Sequence, residues 1–144
     1  SQATREHLLA ALADGTIDAI ATDHAPHALH EKECPPDQAS FGIIGLETSL
    51  ALTITELVQK EVISMARAIE LLSVNPRAIM RLKPIRFAAG EAANFTMIDP
   101  NAEWVVTAEH IRSKSSNTPF IGRALRGKSL GTFHKGALRM TVEE

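Results

Sequence analysis

Apolar residues recur at helical spacing over the first half of the chain. This spacing predicts four helices, because residues three and four positions apart share one helix face. Gly15 is typical of the end of the first helix, Ser64 is typical of an N-cap before the third, and Asn75-Pro76 predicts a capped start for the fourth. The predicted helices cover about residues 4–13, 46–60, 65–73 and 75–82.

An apolar run over residues 17–22 lies between the first two helices and ends in the polar sequence Asp-His-Ala-Pro-His. A short apolar run of this kind is typical of a buried parallel strand, whose C-terminal end delivers side chains into a site. Residues 24–45 have no stable period and contain three prolines and two glycines, so they predict a long loop. Ordered loops of this length are usually functional.

The pattern changes near Lys83-Pro84, where short runs separated by turn residues replace the helical period. Strands are predicted over residues 94–98, 103–107, 128–134 and 137–142. The last two form a predicted hairpin around Lys135-Gly136. The chain is therefore predicted to be α/β, with a helical part over residues 1–82 and a small β unit over residues 83–144.

The composition is ordinary for a globular protein, with 44% hydrophobic and 22% charged residues among 144. A net charge of -2 gives no electrostatic case for binding nucleic acid or an anionic membrane. No apolar run approaches the roughly 18 residues of a membrane span. The single cysteine, Cys34, has no partner for an internal disulfide, which favours a reducing cytoplasm.

The chain opens on a predicted helix without an initiator methionine, and its one predicted buried strand has no predicted sheet neighbours. We therefore expect the chain to be the C-terminal portion of a longer protein.

Asp23 is the first candidate for chemistry, because a carboxylate at the C-terminal end of a parallel strand lies where α/β barrels place catalytic groups. It can ligate a metal, act as a general base, or do both. Position alone leaves a second interpretation equally open, in which Asp23 caps the loop beside Pro26.

The spacing of His24, His27 and His30, with Cys34 nearby, resembles a metal cluster. Pro26 prevents the first two histidines from sharing a helix turn, and a closed zinc site needs four fixed ligands. We therefore expect no structural zinc site from these four residues. The remaining histidines are isolated and are expected to be solvated or structural: His7, His110 and His134.

Phe41-Gly42 lies in a glycine-rich turn that enters a helix, and backbone N–H groups in such turns can bind an anion. No Gly-Lys-Ser or Gly-Lys-Thr follows, so a tight loop is the simpler interpretation. Residues 113–122 are polar until Phe120, which predicts a surface loop anchored to the core by that ring. Trp104 is predicted to be a core residue of the β unit.

Four stretches together resemble the C-terminal third of the longer bacterial type of dihydroorotase, a zinc-dependent cyclic amidohydrolase of the amidohydrolase superfamily. They are TDHAPH at residues 22–27, FGIIGLET at 41–48, Asn75-Pro76, and SKSSNTPFIG at 113–122, in the order of the family. The second histidine of the first stretch and the Ser-Lys-Ser of the last favour dihydroorotase over the related hydantoinases and allantoinases.

The resemblance implies a (β/α)₈ TIM-like barrel followed by a small β-sandwich domain. Residues 1–82 would be the last helix–strand–helix part of the barrel, with residues 16–23 as its eighth strand and 46–60 as the covering helix. Residues 83–144 would be a segment of the sandwich. Because such a barrel usually needs about 250 residues, it is incomplete in this chain.

The resemblance also implies the chemistry. Asp23 would ligate zinc and shuttle a proton, while His27, Phe41 and Gly42 would bind the substrate. The reaction is the reversible cyclisation of N-carbamoyl-L-aspartate to dihydroorotate in pyrimidine synthesis. The other zinc ligands are expected upstream in the missing N-terminal barrel portion, so we expect this chain alone to be inactive.

Two alternatives belong to other classes of function. The first is a non-catalytic dihydroorotase-like subunit that scaffolds aspartate transcarbamoylase. The second is a hydantoinase or dihydropyrimidinase. Retention of Asp23 and His27 favours catalysis, because a scaffold needs neither. The resemblance is compatible with a homodimer or with aspartate transcarbamoylase as a partner.

Overall fold

The structure is a computed structural model that describes residues 1–141. Its helices are α1 (Gln2–Asp14), α2 (Leu29–Lys32), α3 (Ser49–Thr53), α4 (Met65–Ile69) and α5 (Asn75–Ile79). Its strands are β1 (Phe95–Val105), β2 (Ala124–His134) and β3 (Ala137–Met140). π-Helical segments extend α3 over Ile54–Val58 and α4 over Glu70–Val74, and a 3₁₀ turn covers Ala108–His110. No helix within the described range is long and apolar enough to cross a bilayer.

The ends of two helices follow the predicted local chemistry. Helix α1 ends at Gly15, which has the left-handed φ of 90° that favours glycine. The Ser64 side chain accepts a hydrogen bond from the Arg67 N–H at 3.1 Å, which confirms the cap of α4. The predicted cap at Asn75 is wrong, because the chain is already helical before it. Asn75 Nδ2 instead donates to the Asp18 carbonyl at 2.8 Å.

The strand predicted over residues 17–22 forms no strand in the structure. A strand requires a neighbour that pairs with its backbone, and none of residues 1–141 supplies one. Helical residues bind the segment instead: the Ile20 N–H donates to the Leu71 carbonyl at 3.0 Å, and Arg67 donates to the Ile17 carbonyl at 3.0 Å. Helices α4 and α5 and the π-helical segment between them therefore hold residues 16–23 in place. Asp23 lies at the end of this segment.

The three strands form one antiparallel sheet in the order β1-β2-β3. The predicted strands over residues 94–98 and 103–107 are a single strand, because the Asp99 carboxylate accepts the N–H groups of Asn101 and Ala102 and absorbs a register shift. The predicted hairpin at Lys135-Gly136 is confirmed, since both residues have positive φ, as a two-residue turn requires. Val142, at the end of its predicted second strand, lies outside the described residues.

Two apolar clusters form the core. The first contains Leu57, Ile63, Ala68 and Leu71, and Leu9 and Leu12 of α1 pack against it. The second contains Ala51, Val106 and Leu125, with Trp104 and Phe120 packed against it, as predicted for those two rings. Because Ala51 belongs to α3 and the other two follow residue 83, the helices and the sheet share this cluster. The domain division at residue 83 stays a prediction.

Candidate active site

Asp23 lies at the end of the 16–23 segment with an exposed side chain and a φ of 44°. This left-handed conformation is uncommon outside glycine, although aspartate tolerates it better than most residues. Within residues 1–141 its carboxylate accepts no hydrogen bond and forms no ion pair, so it caps nothing there. Strained backbone of this kind is concentrated at functional sites. The carboxylate is therefore available to a ligand or substrate.

His24 connects the residues after Asp23 to the start of the helical region. Its Nδ1 accepts hydrogen bonds from the N–H groups of Gly45 and Leu46, at 3.1 and 3.3 Å. A ring nitrogen that accepts two N–H groups carries no proton, so the proton of the neutral ring is on Nε2. The Nδ1 atom is consequently occupied by hydrogen bonds within the fold, which argues against metal binding through it.

His27 contacts the other predicted substrate-binding segment directly. Its Nε2 lies 2.8 Å from the carbonyl oxygen of Phe41, and because a carbonyl only accepts, Nε2 carries the hydrogen. Its Nδ1 lies 3.9 Å from the Glu31 carboxylate. The structure thus brings together three of the four residues predicted for the site, since His27, Phe41 and Gly42 form one connected group.

The backbone around Phe41 and Gly42 is held through its carbonyl groups. Lys32 Nζ donates to the carbonyls of Ser40 and Gly42, at 2.6 and 3.0 Å. The N–H groups of Phe41 and Gly42 donate no hydrogen bond within the described residues. The Phe41 side chain is 95% exposed. A turn with fixed carbonyls and two unused N–H groups is suited to binding an anion.

The loop of residues 113–122 also contacts this group, although its sequence predicts only a surface loop. Asn117 Nδ2 donates to the carbonyls of Ala25 and Gly42, at 2.9 and 3.3 Å, and its Oδ1 accepts the His27 N–H at 3.3 Å. Asn117 is half-buried, so the surface-loop interpretation is wrong at this position. The signal for this contact in the sequence was that the motifs at residues 22–27, 41–48 and 113–122 occur together in one family. Such joint occurrence implies a shared site.

A half-buried carboxylate fixes the start of the same loop. Glu47 Oε1 accepts the N–H groups of Arg112 and Ser113, at 3.2 and 2.8 Å. Glu47 belongs to the FGIIGLET stretch, so this contact is a second connection between two of the recognised motifs.

The donor set in this part of the protein does not complete a metal site. Within residues 1–141 no three His, Cys, Asp or Glu side chains are arranged to hold a metal ion. The His24 Nδ1 is occupied, and Cys34 donates to the Glu31 carbonyl at 3.5 Å. Asp23 supplies one carboxylate of suitable chemistry, which is fewer than the ligands a zinc ion requires.

The curated proteins most similar to this chain include members of the family that the four motifs resemble. No protein-family model matches the chain. The chain is 65% identical to the dihydroorotase of Chlorobaculum tepidum over 94% of its own length and 31% of that protein. It is 49% identical to the dihydroorotase of Elusimicrobium minutum, over 97% of the chain and 32% of the relative. By sequence, this chain matches one third of a dihydroorotase. The resemblance inferred from the sequence is confirmed, and the chain spans about a third of the length of these relatives.

Solved structures of related enzymes share the fold. The L-hydantoinase (dihydropyrimidinase) of Arthrobacter aurescens matches with a TM-score of 0.83 and 28% identity, over 94% of this chain and 32% of that one. An inactive dihydroorotase-like domain of a CAD-like multifunctional protein of Chaetomium thermophilum matches with a TM-score of 0.65 and 21% identity, over 92% of this chain and 34% of that one. The α/β fold is thus that of part of an amidohydrolase.

Proposed function

We propose that this chain is the part of a dihydroorotase that carries a proton-transferring aspartate and two substrate-binding loops. The observation that carries the proposal is the meeting of three family motifs: His27 contacts Phe41, Asn117 contacts both loops, and Asp23 precedes them with an unpaired carboxylate. We use "full-length protein" for this chain together with the remaining two thirds of the sequence that its relatives contain.

In the proposed reaction, water adds to the ring amide carbonyl of dihydroorotate and the ring C–N bond breaks. Asp23 accepts the proton of the attacking water and delivers it to the departing ring nitrogen, which gives N-carbamoyl-L-aspartate. The same proton transfers in reverse close the ring during pyrimidine synthesis. General acid–base catalysis of this kind typically contributes about 10²–10⁴ in rate.

The substrate carboxylate is proposed to bind at the turn of Phe41 and Gly42. The two unused N–H groups there provide donors for an anion, and the His27–Phe41 hydrogen bond orients the same peptide. Because Nε2 of His27 is engaged with Phe41, the ring itself can donate to the substrate only through Nδ1, when both nitrogens carry protons.

Zinc is proposed as the metal of the full-length protein, where it would lower the pKa of a bound water to near neutrality. Asp23 is the ligand proposed from this chain, and the others would come from outside residues 1–141. The proposed full-length fold is a (β/α)₈ barrel that includes residues 1–82, followed by a β-sandwich that includes residues 83–144. We propose a cytoplasmic location.

The test is an assay of the purified full-length protein on dihydroorotate and on hydantoin, in parallel. We expect ring opening of dihydroorotate to be preferred, as the dihydroorotase relatives at up to 65% identity indicate. A preference for hydantoin would instead assign the protein to the hydantoinase class.

The second candidate function is a non-catalytic scaffold for aspartate transcarbamoylase. The observation behind this candidate is the similarity in fold to an inactive dihydroorotase-like domain. Size-exclusion chromatography with and without aspartate transcarbamoylase distinguishes a scaffold, a homodimer and a monomer. A stable complex combined with the absence of turnover would support the scaffold, and turnover would exclude a purely scaffolding role.

A further inference from the structure

We propose that Asn117 is a positioning residue of this site, whose carboxamide sets the relative position of the His27 and Gly42 loops. The inference rests on the proposed function. Asn117 does not contact the Asp23 carboxylate, so it acts through the two loops rather than on reacting atoms.

The carboxamide of Asn117 has a partner for each of its amide hydrogens and for its oxygen. Both hydrogens of Nδ2 have carbonyl acceptors, on Ala25 and Gly42. Oδ1 accepts the His27 N–H and lies within hydrogen-bond distance of the Ser115 hydroxyl, whose single hydrogen it shares with the His27 carbonyl. No other side chain of this size presents two donors and two acceptors in this arrangement.

Ser115 contributes to the orientation of this carboxamide. Its hydroxyl lies within hydrogen-bond distance of both Asn117 Oδ1 and the His27 carbonyl, the latter at 2.5 Å. The main chain of Asn117 adds a further contact, because its carbonyl accepts the Ile44 N–H at 3.2 Å. Residues 115 and 117 therefore bind the main chain of His27 and the main chain of Gly42 and Ile44.

The consequence for binding follows from these contacts. If the Nδ2 donors are lost, the carbonyl of the Gly42–Ile43 peptide keeps only Lys32 as a donor, and the turn is held less firmly against the His27 loop. A shift of this turn relative to His27 would move the adjacent Phe41 and Gly42 N–H groups away from an anion and weaken the His27–Phe41 hydrogen bond. Since Asp23 is untouched, substrate binding should suffer more than the chemical step.

The experiment compares variants of the full-length protein in steady-state kinetics on dihydroorotate. Asn117→Asp keeps the volume and an acceptor oxygen but removes both donors, while Asn117→Ala removes the whole group. For both we expect KM to rise about tenfold, as for the loss of partly buried hydrogen bonds, with kcat within about twofold of the wild type. Ser115→Ala should raise KM by about threefold.

Ser116→Ala is the matched control, because Ser116 is the exposed neighbour and its hydroxyl makes no hydrogen bond within residues 1–141. It should leave both constants unchanged. An active wild type with an unaltered KM in the Asn117 variants would overturn the inference, and so would a loss confined to kcat. If Asn117→Ala does not fold, Asn117→Asp and Ser115→Ala still decide.

A readout independent of turnover separates this inference from the proposed function. With ¹⁵N-labelled histidine, the Nε2 resonance of His27, assigned through a His27→Ala sample, reports its hydrogen bond to Phe41. We expect Asn117→Asp to shift this resonance and Ser116→Ala to leave it in place. If the wild type does not hydrolyse dihydroorotate, the proposed function fails while this measurement still tests Asn117; an unmoved resonance would overturn the positioning role.

Discussion

Gly42 packs so closely against Ala25 that a Cβ added to Gly42 would lie 2.6 Å from the Cβ of Ala25. Gly42 also has a φ of 104°, a conformation that other residues rarely adopt. The two loops proposed to bind the substrate can therefore approach each other this closely only while position 42 is glycine.

Gly42→Ala should accordingly lower both the thermal stability of the full-length protein and its affinity for dihydroorotate. Gly90→Ala is the control, because Gly90 has a similar φ of 86° but nothing within 4 Å of the added Cβ. Both variants should lose about 1–3 kcal/mol of the free energy of unfolding, because alanine is strained at positive φ. Only Gly42→Ala adds a steric clash. Thermal unfolding and KM measure the difference; equal melting temperatures and KM values in the two variants would contradict this account.

Asp23→Asn in the full-length protein should reduce kcat by about 10²–10⁴, because an amide cannot accept and return the proton. Asp37→Asn, at an exposed position of the 24–45 loop, is the control and should retain wild-type turnover. Metal content is measured on the same samples. A near-wild-type rate with metal bound would remove Asp23 from the proton transfer.

Lys32→Met should raise KM for dihydroorotate by about three- to tenfold, because it removes the donor to the Ser40 and Gly42 carbonyls while keeping the length of the side chain. Lys114→Met changes the same charge at an exposed position of the 113–122 loop. If both substitutions alter KM equally, the effect comes from net charge rather than from the fixed turn.

Glu56 connects the helices to the sheet region through Arg5, Lys60 and Arg123. The hydrogen bond from Lys60 lowers the pKa of Glu56 below its usual 4.5, and the charges of the two arginines act in the same direction against partial desolvation. Because the folded-state pKa is the lower one, this stabilisation is present above pH 4.5 and is lost as the pH falls through the folded-state pKa.

Glu56→Gln should therefore reduce the free energy of unfolding by about 0.2–1 kcal/mol at pH 7, and the difference from wild type should vanish in acid. Denaturation at several pH values measures the change. Glu61→Gln removes an exposed carboxylate without an ion pair within the described residues and should show no such dependence. A difference that persists unchanged at low pH would exclude the ionic origin.

The chain of residues 1–144 by itself should retain no stoichiometric zinc after dialysis, because its described part holds no group of three suitable ligands. Elemental analysis of the dialysed sample measures this. Asp23→Asn should give the same background value. One equivalent of zinc in the wild-type chain, lost in the variant, would show that the ligand set is more complete than these residues indicate.

Features governed by neighbouring residues could be predicted from the sequence. The end of α1 at Gly15, the cap at Ser64 and the turn at Lys135-Gly136 depend on φ preferences and on a side chain that reaches three positions along the chain. Asp23, His27, Phe41 and Gly42 were recognised as candidates because their motifs occur in one family, whereas position alone left Asp23 divided between two interpretations.

Features that depend on distant residues could not be predicted in this way. The 17–22 segment has the composition of a strand, but its backbone partners are side chains and carbonyls of later helices. Asn75 has the sequence context of a cap and instead binds Asp18. The sequence around Asn117 predicts only a polar loop. Its hydrogen bonds to Ala25 and Gly42 could not be predicted, because nothing near it in sequence indicates these partners.

The contacts of Asn117 join residues that are 75 to 92 positions apart in the chain. Contacts of such long sequence separation cost loop-closure entropy before they form, which delays them relative to local contacts during folding. The segment that carries Asp23 and His27 is synthesised before residues 113–122, but it takes its proposed binding geometry only after those residues have docked. A polypeptide that stops before residue 113 would contain the aspartate and the histidine without the Asn117 contacts that hold the two loops together.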